Sequence, residues 1–81
     1  MLIDDRLAAR ANLPAWETLT PQELTIAALV HQAMTNQQIA NRMYLSKHTV
    51  NYHLRRMFKK LNIYSRIQLA GLAQRHLTND R

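Results

Sequence analysis

Apolar residues recur three and four apart in four blocks of the chain, and each block is opened by the same kind of start signal. In "LTPQEL", Leu19 falls at N′, Thr20 at the N-cap, Pro21 at N1, Glu23 at N3 and Leu24 at N4, which is a capping box with a hydrophobic staple. "MTNQQI" repeats the arrangement with Thr35, Gln38 and the apolar pair Met34 and Ile39. "LSKHTV" offers Ser46 as cap with Leu45 and Val50 as staple, Thr49 at N3 making half a box, and "YSRIQL" offers Ser65, Gln68 and the pair Tyr64 and Leu69. Each cap contributes on the order of 1 kcal/mol and fixes where a helix begins.

Four helices are therefore predicted, over about 21–33, 36–42, 46–61 and 65–77. The first carries Leu24, Ala27, Ala28, Val30 and His31 in helical register, widened by Ile26, Leu29 and Met34, as a core helix does. The second is about two turns long, and only "MYL" separates it from the third. Helices joined by about three residues meet at a steep angle, the geometry of a helix-turn-helix. Ahead of them, Leu2, Ile3, Leu7, Ala8 and Ala11 could form a small amphipathic helix ending before Pro14, or a linker. The expected organisation is a linker or extra helix over 1–18, one domain over 19–77 and a tail over 78–81.

Composition narrows this picture. One Gly and two Pro in 81 residues argue against a hairpin-rich β protein. The absence of Cys excludes disulfides, thiolate nucleophiles and thiolate zinc sites, and points to a reducing compartment. The N-terminus meets Asp4 and Asp5 at once, and no apolar run approaches the roughly 20 residues needed to cross a bilayer. A soluble cytoplasmic protein with no membrane-spanning segment is expected.

The placement of charge is more informative still. Asp4, Asp5, Glu17 and Glu23 lie early and Asp80 near the end, whereas residues 24–79 hold no acid and eight bases: Arg42, Lys47, Arg55, Arg56, Lys59, Lys60, Arg66 and Arg75. So one-sided a stretch repels itself unless a polyanion neutralises it. Nucleic acid is the leading partner and an acidic membrane surface the second.

At 100° per residue the third helix divides cleanly. Val50, Leu54, Met57, Phe58 and Leu61 share one side, and His48, Tyr52, Arg55, Arg56 and Lys59 the other, with Asn51 at the border. A B-form major groove admits one α-helix and presents base edges that Arg, Asn and Lys can read. Tyr52 and Arg55 lie near the N-terminal part of the outer face. Lys47 and Thr49 in the first turn, and Lys59 and Lys60 farther on, suit phosphates. A solvated cationic face, or a protein interface around Tyr52, would carry the same residues.

Catalysis and metal binding find little support. No carboxylate pair lies near a His, and no Gly-rich phosphate loop exists. His31, His48, His53 and His76 show no i, i+4 pairing, and nothing completes a ligand set. His53, at the rim of the apolar side, is expected to be a hydrogen-bonded structural residue. Neither an enzyme nor a cofactor is expected.

From Leu19 to Ala73 the motifs "LTPQEL", "TNQQIANRMYLSKHTVNYHLRRMFKKLNI" and "SRIQLAGLA" resemble the DNA-binding domain of LuxR-type (FixJ/NarL-type) bacterial transcription regulators. The resemblance implies an all-α, four-helix helix-turn-helix domain of the LuxR/NarL C-terminal effector type. Its third helix would enter the major groove of double-stranded DNA, and its fourth would mediate a homodimer on DNA, with RNA polymerase a further candidate partner. Base-facing positions of the family fall on Asn51, Tyr52 and Arg55, and phosphate-facing ones on Lys47, Thr49, Lys59 and Lys60. His48 and Arg56, on the same outer face, are further backbone candidates. On the fourth helix Ile67, Ala70 and Gln74 share one direction, while Leu69, Leu72, Ala73 and His76 share another and are expected at the dimer interface. Glu23 matches a buried family acid paired with a base, for which Arg66 is the expected partner.

Some positions depart from the family pattern. Ala33 and Asn62 stand where Gly is usual, so the first helix is expected to end differently, whereas Asn tolerates the left-handed region. Gln38 replaces a usual Glu, and Asn51 with Tyr52 replaces a Lys and a small apolar residue. Two other readings stay open: a sigma-factor region-four module, which shares the "LT…E" opening, and a helical protein-interaction module. The segment "MLIDDRLAARANLPAW" is too short for a receiver or ligand-binding domain, so the chain is expected to be either a fragment or a free-standing member.

Overall fold

A computed structural model describes residues 15–78 of the chain. The expected segment ahead of residue 15 and the tail from residue 79 lie outside the described residues. Four helices follow a turn at 15–18: α1 (Pro21–His31), α2 (Asn36–Met43), α3 (Lys47–Leu61) and α4 (Arg66–Thr78). No strand occurs among the described residues.

The first three helices begin at the predicted caps. Thr20, Thr35 and Ser46 each sit in extended backbone and accept from the N3 amide, at 3.1, 3.1 and 3.0 Å. Glu23 and Gln38 return the bond to the cap amides at 2.9 and 2.8 Å. The box requires an acceptor oxygen rather than a charge, so Gln38 serves where Glu is usual. At α4, Ser65 accepts from the Gln68 amide at 3.2 Å, but the Gln68 side chain accepts from Tyr64 rather than from the cap. Tyr64 is exposed, so no staple forms with Leu69.

The ends of α1, α2 and α3 share one device. In each, the amide of the residue after a left-handed turn reaches back five positions: Met34 to the Leu29 carbonyl (3.1 Å), Leu45 to Ala40 (2.9 Å) and Ile63 to Phe58 (3.0 Å). The left-handed residues are Ala33 (φ 64), Tyr44 (φ 58) and Asn62 (φ 54), so all three turns form without glycine. Ala33 does not change how α1 ends. It adopts the glycine conformation, which costs a residue with Cβ about 1–2 kcal/mol. Met34 and Leu45 each close one helix and then precede the cap of the next.

α1 lies centrally, packed most extensively on α4 and also on α3 and α2, while α2 packs on α3. This explains why apolar residues surround α1: Ile26, Ala27, Leu29 and Val30 are all buried. Val50, Leu54, Met57 and Leu61 bury the inner side of α3 as predicted, with Ile39 and Ala40 of α2. From α4 come Leu69, Leu72 and Ala73. Trp16, which the sequence places in a linker, joins this core, and its ring stacks on His76 at 4.7 Å and 18°.

A candidate nucleic-acid interface

The outer side of α3 is built by its inner side. Val50, Leu54, Met57 and Leu61 are anchored in the core, so the helical period turns Lys47, His48, Asn51, Tyr52, Arg55, Arg56 and Lys59 outward, and all seven are exposed. No acid lies on this helix. A cleft of about 410 Å³ opens among Tyr52, Arg55, Arg56 and Lys59. α2, set against α3 across the Met43–Ser46 turn, completes the helix-turn-helix.

Several predicted site residues have intramolecular partners. The Thr49 hydroxyl lies 2.9 Å from the Ser46 hydroxyl at the cap, so its first duty is to the start of α3. Arg56 donates from Nη1 to the Tyr52 hydroxyl at 3.2 Å, with its guanidinium carbon 5.8 Å from the ring centroid. The Tyr52 ring also meets His53 edge-on, with centroids 5.7 Å apart. The expected hydrogen bond to His53 is absent at Nδ1, which is buried with no partner among the described residues.

Lys60 lines a cleft with Tyr52, Arg56 and Lys59, but its amine is already engaged, donating from Nζ to Glu23 Oε1 at 2.7 Å and to the Thr18 carbonyl at 3.4 Å. Glu23 is 2% exposed and Lys60 retains 25%, so this cation closes an ion pair with a buried acid of the domain. Burial would raise the Glu23 carboxyl. The Lys60 hydrogen bond, the Thr20 amide and the charges of Lys60 and Arg56 outweigh it and leave the group below its ordinary 4.5.

Arg66, the expected partner of Glu23, instead donates from Nη1 to Asn36 Oδ1 at 2.7 Å and from Nη2 to the Met34 carbonyl. It ties the start of α4 to the α1–α2 turn.

The residues expected at a dimer interface lie mostly within the domain. Leu69 and Ala73 are fully buried and Leu72 nearly so, because the extensive α1–α4 contact takes that side of α4 into the domain. His76 is occupied by Trp16. Apolar surface left outside on α4 includes Ile67, 83% exposed, and Leu77, with the neighbouring Tyr64 and the open backbone of Gly71, where an added Cβ would meet nothing within 4 Å. Two apolar sides on α4 are visible in sequence. Which one packs inward depends on α1 and could not be read from α4 alone.

Among the described residues no group of three His, Cys, Asp or Glu side chains could hold a metal ion. No helix among them is long and apolar enough to cross a membrane.

Comparison with known proteins bears on this geometry. The family described as bacterial regulatory proteins, luxR family, matches residues 17–73. A Mycobacterium tuberculosis protein named as an HTH-type transcriptional regulator is 40% identical over 60 residues, covering 74% of this chain and 7% of the relative. The Bordetella pertussis transcription regulator BvgA is 37% identical over 68 residues, covering 84% of this chain and 32% of BvgA. Transcriptional regulatory protein ComA of Bacillus subtilis is 40% identical over 58 residues, covering 72% and 27%. The chain thus spans at most about a third of these relatives. No solved structure matches significantly.

Proposed function

Because the chain belongs to the luxR family of bacterial regulatory proteins, we propose that residues 19–77 bind double-stranded DNA sequence-specifically in transcription regulation, with α3 in the major groove. The observation that carries this is the acid-free outer side of α3, where Asn51, Tyr52 and Arg55 stand exposed beside Lys47, His48 and Lys59. Asn51, Tyr52 and Arg55 read base edges. Lys47, His48, Thr49 and Lys59, with the amides at the start of α3, hold phosphates. Family membership sets aside the sigma-factor alternative. Dimerisation on DNA, in this reading, uses the outer side of α4 around Ile67, Gly71 and Tyr64, on half-sites about one helical turn apart.

Titration of labelled duplex at several salt concentrations tests the proposal. Neutralising about five phosphates predicts a slope of about −4 to −5 in log K against log salt. A random-site selection should return a twofold sequence. Weak binding with a flat salt response and no enriched sequence would sink the DNA reading and favour an acidic protein partner for the same face.

A further inference from the structure

A phenol oxygen has one proton to donate and can also accept, so a tyrosine in a groove is ambiguous between base acceptors and base donors. Tyr52 is not left in that condition. Arg56, one turn along α3, donates to its oxygen at 3.2 Å. A guanidinium has no acceptor, so the bond has one direction and occupies the accepting side of the phenol. What the hydroxyl retains is its proton. The ring also has two neighbours, the Arg56 guanidinium 5.8 Å from its centroid and the His53 ring edge-on with centroids 5.7 Å apart, and His53 is itself half-buried. Tyr52 nevertheless keeps 56% of its surface open, so these contacts orient the ring without covering it.

We propose that Arg56 is a positioning residue for DNA readout, holding Tyr52 as a hydrogen-bond donor so that the base it meets must offer an acceptor. This rests on the DNA-binding reading above and assigns Arg56 a role other than phosphate contact. In the major groove guanine offers N7 and O6, adenine N7 and thymine O4, whereas cytosine offers only its N4 donor. Tyr52 therefore discriminates against cytosine on the contacted strand. Binding meets a phenol that is already oriented, so little side-chain freedom remains to be lost.

Random-site selection with the wild type, Tyr52→Phe, Arg56→Met and Arg56→Lys tests this, together with salt titrations on the selected site. The wild type should show one position per half-site from which cytosine is depleted about three- to tenfold, the worth of one hydrogen bond. Tyr52→Phe and Arg56→Met, which has no donor, should each abolish that depletion, leaving the other positions and the salt slope unchanged. Combining them should add nothing at that position, and Arg56→Lys, which keeps a donor, should retain the depletion. If Arg56→Met instead weakens all sequences equally and lowers the salt slope by about 1, Arg56 is a phosphate contact and the inference is overturned. Depletion that survives Tyr52→Phe overturns it as well. A wild type that enriches no sequence removes the DNA-binding reading itself, which separates the two failures.

Discussion

The proposed function divides single side chains into those that would read bases, those that would attract phosphates and those that hold the domain. Asn51→Ala should relax sequence preference at one position by about 1–3 kcal/mol, whereas Lys59→Ala should weaken binding to all sequences and lower the salt slope by about 1; competition assays across salt separate the two. Lys60 belongs to the third class. Lys60→Met leaves Glu23 buried without its cation and should cost about 2–3 kcal/mol, less than the roughly 3–5 of a wholly buried pair because Lys60 keeps a quarter of its surface in water. Glu23 lies below its ordinary 4.5 in the fold, so the unfolded chain takes up the proton first as pH falls. The stability from Glu23 is present above about 4.5 and is lost as pH drops through the folded value. Urea melts should show the gap between wild type and Lys60→Met closing in that window. The acid was legible in sequence from its place in "LTPQEL". Its partner was not, because Lys60 lies 37 residues away and Arg66 offered the same charge.

At the scale of elements, starts were more legible than ends. A cap is a side-chain signal, and Thr20, Thr35 and Ser46 work as their chemistry requires. An end is a backbone conformation. Ala33 and Tyr44 adopt positive φ without the residue types that advertise it. Ala33→Gly should therefore relieve strain at an exposed position and stabilise by about 1 kcal/mol, a gain of about 4–8 °C in Tm that differential scanning calorimetry would detect. α4 was legible as a helix but not in its orientation, since Ile67 and Leu69 look alike in sequence while one is outside and the other buried. Ile67→Asp should leave the melting temperature near wild type and abolish pairing on a two-half-site duplex. Leu69→Asp should unfold the domain. Circular dichroism with gel-shift stoichiometry distinguishes them.

Across the whole molecule, the first described residues and the last helix are joined by the Trp16–His76 stack, which the sequence did not advertise beyond the presence of its one Trp. Burial, then the charge of Arg75, lowers His76 below its ordinary 6.5, with Glu17 opposing. The fold thus favours the neutral ring. Stability should be full above about pH 6.5 and fall as pH drops through the folded value. Trp16 fluorescence should titrate with a midpoint below 6.5, and His76→Phe should keep the stack and abolish the titration. The middle of the molecule is bound together more tightly. Met34 and Leu45 each serve two helices at once, leaving no spare residue between the end of one and the cap of the next. Such a block can drift by substitution but has no tolerance for a change of length: one residue inserted or deleted between Leu29 and Val50 would sacrifice either a turn or a cap, and would rotate the cationic outer side of α3 relative to the rest of the domain. Sequence variation among functional descendants of this domain should therefore be free of gaps there, and confined to what each position displays.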